Sequence, residues 1–181
     1  MTDSPRFEQA AVRAAQKDRA AFAPLYERYA DPVYRYCMNR LSDPEAAADT
    51  TADVFTKAVA TVGAFRGESF RSWLFTIARN AVIDRYRARK PVTDMPETLV
   101  SSQQGPEEIA MRRETQMELR AALTHLTDQQ QDVITLRLAG LTGKEIASAM
   151  DMTHGAVKAT QARAFARLRE LMNRQEEGVD D

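Results

Sequence analysis

Large apolar residues return along this chain every three or four positions and almost never every second one. Phe22, Leu25, Tyr26, Tyr29, Val33, Tyr36 and Cys37 make one such stripe, with Pro24 and Pro32 placed to restart or bend the helix that carries it. Strand-type alternation is almost absent. The seven Gly and seven Pro fall mostly where helices would start or stop, so the spacing predicts an all-α fold. A chain of 181 residues with 44% hydrophobic content can bury the core of one ordinary domain or of two small ones.

Composition excludes several classes. The first ten residues, "MTDSPRFEQA", lack the apolar core of a signal peptide, and no stretch reaches the ~18 apolar residues of a membrane span. A cytoplasmic location without membrane insertion is expected. Cys37 is the only cysteine, so no intrachain disulfide can form, and its helical register with Val33, Tyr36 and Leu41 marks it as a small core residue. His125 and His154 have no Cys or second His at ligand spacing, so neither a metal site nor a cofactor is expected. No nucleophile, base and orienting group recur at a usable spacing, and no Gly-rich phosphate loop is present, which argues against an enzyme.

The net charge of −1 hides a segregated pattern. Residues 65–90 carry seven basic side chains against two acidic, and residues 155–174 carry five against one. Between them, residues 91–154 hold ten acidic and five basic groups. Two basic segments separated by an acidic one point to two places where a polyanion is held.

Local signals divide the chain further. Ser42 or Asp43 can cap a helix that starts at Pro44 and runs to about Val62, and Gly63 and Gly67 bracket a loop before the helix that begins at Phe70. "PVTDMPETLVSSQQG" has linker composition, so two small helical domains joined by a flexible linker are predicted: 1–90, a linker over 91–105, 106–174, and an acidic tail over 175–181. Pro106 opens the next helix. Thr127 with Gln130, and Thr142 with Glu145, read as capping boxes; Gly140 ends the first of these helices. The short helix after Thr142, a turn at 151–153 and a longer basic helix make a helix-turn-helix, with Ile146, Ala147, Met150 and Val157 at its crossing.

On a helical wheel of "FRSWLFTIARNAVIDRYRARK", Phe70, Leu74, Ile77, Ala81 and Ala88 form the buried face, and Phe75, Arg79, Ile83 and Tyr86 the opposite side. Trp73, Thr76, Asn80, Asp84 and Arg87 lie on one flank. Aromatic rings beside amides and cations suit unpaired bases, which stack on any ring while Arg holds phosphate. Trp73 fits either a core position or a DNA-facing one.

"LYERYADPVYRY", "DPEAAADTTADVFTKAV", "FRGESFRSWLFTIARNAVIDRYR" and "LTDQQQDVITLRLAGLTGKEIASAMDMTHGAVKATQARAFARLREL" resemble, in order and spacing, the bacterial RNA polymerase sigma factors of the extracytoplasmic function (ECF) group. The resemblance covers about residues 7–172, and "SWLFTIARNAVIDRYR" is its most specific part. It implies sigma region 2 in the first domain and region 4 in the second. Its implied partners are core RNA polymerase (the beta-prime clamp and beta flap), promoter DNA and an anti-sigma factor. Asp49, Asp53, Val54 and Phe55 match polymerase-docking positions, although Ala52-Asp53 stands where the family has Gln-Glu. Phe65, Arg66, Trp73, Arg79, Asn80, Asp84 and Arg87 match the region that reads and melts the minus ten element. Phe65 is either a wall for a flipped-out base or the anchor that closes its loop.

Lys144, His154, Lys158, Thr160, Gln161 and Arg163 match candidate contacts to the minus thirty-five element. Here Ala156, Ala159 and Thr160 depart from the family's Thr, Ser and Arg, which implies fewer phosphate contacts. Asp151 replaces the usual turn glycine and tolerates the left-handed conformation better than most residues. The competing reading is a helix-turn-helix regulator that works without polymerase. It explains the second basic helix and leaves the Trp-Arg-Asn helix without a purpose.

Overall fold

The computed structural model describes residues 5–88 and 121–177, with side chains placed from 6 to 88 and from 121 to 171. All regular elements among them are helical. They are α1 (Pro5–Lys17), α2 (Ala23–Leu41), α3 (Pro44–Thr61), α4 (Phe70–Ala88), α5 (Asp128–Leu138), α6 (Gly143–Met150) and α7 (His154–Glu177), with 3-10 turns at Arg19–Phe22 and Val62–Ala64. The expected linker at 91–105 and the helix start at Pro106 lie outside the described residues.

The punctuation works as the residue types require. Asp43 accepts a hydrogen bond from the Ala46 amide at 3.1 Å, and Pro44 occupies the first turn of α3, where no donor is needed. Ser42 closes α2 in the left-handed region (φ 53°), its N–H on the Met38 carbonyl. Both capping boxes form, Thr127 with Gln130 and Thr142 with Glu145. Gly140 (φ 88°) ends α5's turn, and Asp151 (φ 53°) takes the left-handed position of the helix-turn-helix. Pro32 lies inside α2 and removes the N–H that the Arg28 carbonyl would otherwise receive.

Helices α1 to α4 enclose an aromatic core. Phe22 meets Phe55 and Phe70 edge-on, at 6.4 and 6.1 Å between ring centroids. Tyr29 is buried, and its hydroxyl donates to Glu8 of α1. Burial, then Glu8, pushes that phenol up to about 12. Cys37 is fully buried, and desolvation pushes its thiol up to about 11.

Helices α5 to α7 share most of their core with the first unit. Val133, Leu136, Leu141 and Ile146 belong to the same apolar cluster as Leu25, Val33, Phe75 and Ala78. A smaller cluster of Leu123, Leu126, Ile134 and Ala164 lies beneath the second unit alone. The wheel placed Phe75 opposite the buried face of α4, yet Phe75, Ala78 and Val82 are at most 1% exposed. The reason is that α4 is covered from two sides. One side packs on α3 and on Phe22, and the other meets α2 and α6, with Tyr36 edge-on to Phe75 at 5.8 Å.

Candidate nucleic-acid interface

The loop from Phe65 to Ser69 is pinned by its own backbone. Gln16 of α1 donates to the Phe65 carbonyl at 2.8 Å, and Arg66 Nη1 folds back onto the Gly63 and Phe65 carbonyls, both at 2.8 Å. Gly67 is required here, because a Cβ at that position would stand 2.8 Å from the Phe65 ring. Phe65 is 9% exposed and packs edge-on against Phe70 at 5.9 Å, so it anchors the loop. Trp73 is half-buried and completes a three-ring cluster, 5.2 Å from Phe65 and 5.3 Å from Phe70.

Beside that cluster lies a cleft of about 600 Å³ lined by Phe65, Gly67, Trp73 and Thr76 on one wall and Lys144 and Ser148 of α6 on the other. Its ring faces and hydroxyls suit stacking and hydrogen bonding to a base, and its charged lining is mixed, with Arg66 and Lys144 beside Glu68 and Glu145. Lys144, a candidate for the minus thirty-five element, thus shares a cleft with the minus ten candidates.

Farther along α4, Asn80, Asp84 and Arg87 are exposed. Asp84 and Arg87 make only a solvated pair at 3.9 Å, which leaves both available. Arg79 is different. Its Nε donates to Asp132 of α5 at 2.8 Å, and its side chain is 28% exposed. Asp132 is buried and also receives the Tyr36 hydroxyl at 3.2 Å, while Arg40 Nε lies 3.1 Å away without hydrogen-bond alignment. Arg40, itself 5% exposed, also donates to Gln131 and stacks on Tyr86, whose hydroxyl reaches the Arg40 carbonyl. The pairing of Arg79 with Asp132 was not visible in the sequence pattern.

Two further bridges join the units. Ser69 and Ser72 donate to the Glu145 carboxylate and carbonyl, at 2.9 and 3.0 Å, and Arg71 donates to the Gly140 carbonyl at 2.9 Å. Burial works against ionisation of Glu145. The hydrogen bonds from Thr142 and Ser69 and the Arg71 charge outweigh it and hold the carboxyl below the usual range.

On α3, Asp49 and Asp53 are exposed, and Asp49 pairs with Arg85 at 3.0 Å. Val54 and Phe55 are not at the surface: they are 0% and 5% exposed. Phe55 packs under Tyr26 at 4.8 Å, so these two residues shape the helix from inside and do not present a docking face. On α7, Lys158 and Arg163 are exposed and His154 stands at the N-terminus, whereas Thr160 is 1% exposed and accepts from Arg163 Nη2 at 3.2 Å. Thr160 therefore points into the packing with α5 and α6, not outward. Gln161 is half-buried, its carbonyl oxygen held at 3.1 Å by Arg137, which also donates to the Leu141 carbonyl. Among the described residues no cluster of three His, Cys, Asp or Glu groups could hold a metal, and no helix is long and apolar enough to cross a membrane.

Residues 25–92 match the model of sigma-70 region 2, and residues 116–168 match sigma-70 region 4. The ECF RNA polymerase sigma factor BldN of Streptomyces coelicolor is 34% identical, over 94% of this chain and 67% of BldN. SigX of Bacillus subtilis, another ECF sigma factor, is 31% identical over 88% of each chain. The chain belongs to the ECF sigma factors. RNA polymerase sigma factor YlaC of Bacillus subtilis is 32% identical over 89% of this chain and 97% of its own. The same fold occurs in CnrH, solved with the cytosolic domain of CnrY, at a TM-score of 0.71 and 24% identity over 90% of this chain and 94% of CnrH. It occurs again in RpoE of Bartonella quintana, solved with the anti-sigma factor NepR, at 0.69 and 23% over 84% and 96%. As an ECF sigma factor, the protein directs promoter-specific transcription initiation by RNA polymerase.

Proposed function

We propose that the two helical units divide promoter reading between them, with residues 1–90 acting as region 2 and residues 106–174 as region 4. Region 2 docks on the beta-prime clamp through the exposed carboxylates Asp49 and Asp53. It then takes an unstacked base of the minus ten element into the cleft beside Phe65 and Trp73. Asn80, Asp84 and Arg87, exposed on α4, line the path of the strand beyond it. Flipping a base loses a few kcal/mol of stacking, and ring faces in a cleft replace that contact. The observation that carries this reading is the aromatic cleft at the start of the most basic helix in the chain.

Region 4 contacts the minus thirty-five element with Lys158, Gln161 and Arg163 of α7, and reaches the beta flap of polymerase. Two modest sites on one polymerase platform raise each other's effective concentration, so neither basic patch has to bind tightly alone. The factor works in the cytoplasm, has no catalytic role, and is held inactive by an anti-sigma factor, the kind of partner with which RpoE of Bartonella quintana was solved. Co-elution with core polymerase tests the assignment. A chain that bound duplex promoter DNA alone but never core polymerase would instead be a polymerase-independent regulator.

A further inference from the structure

We propose that Gln16 of α1 is a positioning residue for promoter opening: it holds the loop from Phe65 to Ser69 in the shape that receives an unstacked base. The proposal rests on the reading of the Trp73 cleft as the base site. It goes beyond that reading by saying what fixes the wall of the cleft. Helix α1 lies upstream of residue 25, where the match to sigma-70 region 2 begins, so that match does not include it.

The first observation is the setting of the loop. Phe65, Arg66, Gly67 and Glu68 line the Trp73 cleft and also a second cleft of about 730 Å³, to which α1 contributes Gln9, Arg13 and Gln16. The loop is thus a partition with space on both faces. Packing reaches it at the buried Phe65 ring, against Phe70 and Trp73, and leaves Arg66, Gly67 and Glu68 exposed. A backbone segment with so little packing takes its position from its hydrogen bonds.

The second is where those bonds lie. At the loop's entry the Phe65 N–H donates to the Val62 carbonyl at 3.1 Å, and at its exit Ser69 Oγ accepts from the Ser72 N–H at 3.1 Å. Between them the Phe65 carbonyl receives two donors, Gln16 Nε2 and Arg66 Nη1, each at 2.8 Å, which uses both of its lone pairs. Arg66 belongs to the loop, and its other partner, the Gly63 carbonyl, lies in the turn that leads into it. Gln16 comes from 49 positions upstream, on a helix whose Val12 and Ala15 are buried in the core. Of the two donors, it is the one that ties the Phe65–Arg66 peptide to a separate element. A base entering the cleft then meets a wall already in place, and no loop ordering opposes its binding. Without the Gln16 donor the loop has to be ordered as the base arrives, and opening weakens by the net worth of one hydrogen bond, about threefold to tenfold.

The test compares holoenzymes formed with variants of the full chain. Gln16→Met keeps the length of the side chain and removes its donor, Gln16→Glu keeps its shape and sets a carboxylate against the Phe65 carbonyl, and Gln16→Lys restores a donor. Permanganate reactivity of promoter thymines should fall about threefold to tenfold for Gln16→Met, at least as far for Gln16→Glu, and stay within about twofold of wild type for Gln16→Lys. Co-elution with core polymerase should not change. Trp73 is the only tryptophan, so acrylamide quenching of the free chain reads the loop directly and should rise for Gln16→Met and Gln16→Glu but not for Gln16→Lys. Replacing one non-template minus ten nucleotide at a time by an abasic site separates positioning from contact. At the nucleotide whose base enters the cleft, wild type and Gln16→Met should open the promoter equally, because the loop no longer has a base to hold.

A Gln16→Met holoenzyme that opens promoters as well as wild type overturns the proposal, and so does a Gln16→Lys holoenzyme as defective as Gln16→Met. A Gln16→Met defect that persists at every abasic position overturns it too, since Gln16 would then touch DNA itself. Trp73→Leu distinguishes the two levels. If it lowers opening while Gln16→Met does not, the base site stands and the positioning role fails. If Trp73→Leu has no effect, the base site falls and the proposal falls with it.

Discussion

Arg79 and Asp132 stand 53 positions apart in the chain and 2.8 Å apart in the fold. The cation belongs to the helix proposed to melt the promoter, and the carboxylate to α5 of the other unit. With Arg40 on the same carboxylate, the contact sets one buried and one partly exposed cation against one buried anion. Removing the anion alone would leave Arg40 uncompensated, at about 3–5 kcal/mol. Asp132→Ala should therefore lower the chemical-denaturation stability of the free chain by an amount in that range, whereas Asp128→Ala, at an exposed residue 3.7 Å from Arg40, should cost less than about 1 kcal/mol.

Trp73 should separate folding from opening. Its ring is half-buried against Phe65 and Phe70 and also lines the cleft, so Trp73→Leu keeps apolar packing but removes most of the stacking face. The variant should fold with a loss of about 1–2 kcal/mol. Permanganate reactivity of promoter thymines in its holoenzyme should fall about tenfold or more, by the ~1–3 kcal/mol that stacking on one ring supplies. Unchanged permanganate reactivity would return Trp73 to a purely structural role.

On the recognition helix, exposure distinguishes two neighbouring candidates. Lys158→Ala should weaken holoenzyme binding at every promoter sequence and reduce the salt slope by about one. Thr160→Val should leave DNA affinity within about twofold, because its side chain is buried; its effect should appear in stability, through the lost bond to Arg163. The opposite ranking would place Thr160 at the DNA.

Much of this fold could be read from local chemistry, and the misreadings share one cause. Helix starts at Pro44, Thr127 and Thr142, and the left-handed Asp151, follow from caps and turn preferences that involve only a few neighbouring residues. Cys37 as a core thiol followed from register alone. Phe75 was misplaced, and Val54, Phe55 and Thr160 were read as contact residues, because a wheel or a motif assigns a residue to a face without saying what covers that face. Phe75 needed knowledge that α2 and α6 pack behind α4. Asp132 was passed over for the same reason. A lone carboxylate beside Val133 and Ile134 is visible in the text, but its partners at Arg40 and Arg79 exist only once the units are joined.

Glu145 gives the packing of α6 against α4 an acid limit. Its folded value is depressed, so the stability it contributes is complete above the unfolded value and is lost as pH falls through the folded one. Wild-type stability should decline below the ordinary glutamate range, and Glu145→Gln should show a shallower decline there. At neutral pH that variant should lose less than about 1 kcal/mol, because Gln still completes the capping box with Thr142 and only the charge facing Arg71 is removed. Parallel denaturation curves at neutral and acid pH for both proteins measure this, and identical acid limbs would remove Glu145 from the explanation.

Cys37 offers a direct probe of integrity. With the thiol buried and raised to about 11, almost none is thiolate at neutral pH. Alkylation of the native chain should be slower than that of the denatured chain by at least about a hundredfold, limited by opening of the first unit. Core polymerase should not accelerate it, since the proposed docking through the exposed Asp49 and Asp53 leaves that core closed.

The most direct measurement is multiple-round run-off transcription with purified chain, purified core polymerase and promoter fragments recovered from cells with the bound factor. A transcript of defined start, dependent on added chain and on both promoter elements, is expected. Absence of any specific transcript from every recovered fragment, with core polymerase active on a control factor, would contradict the assignment of this chain to promoter reading.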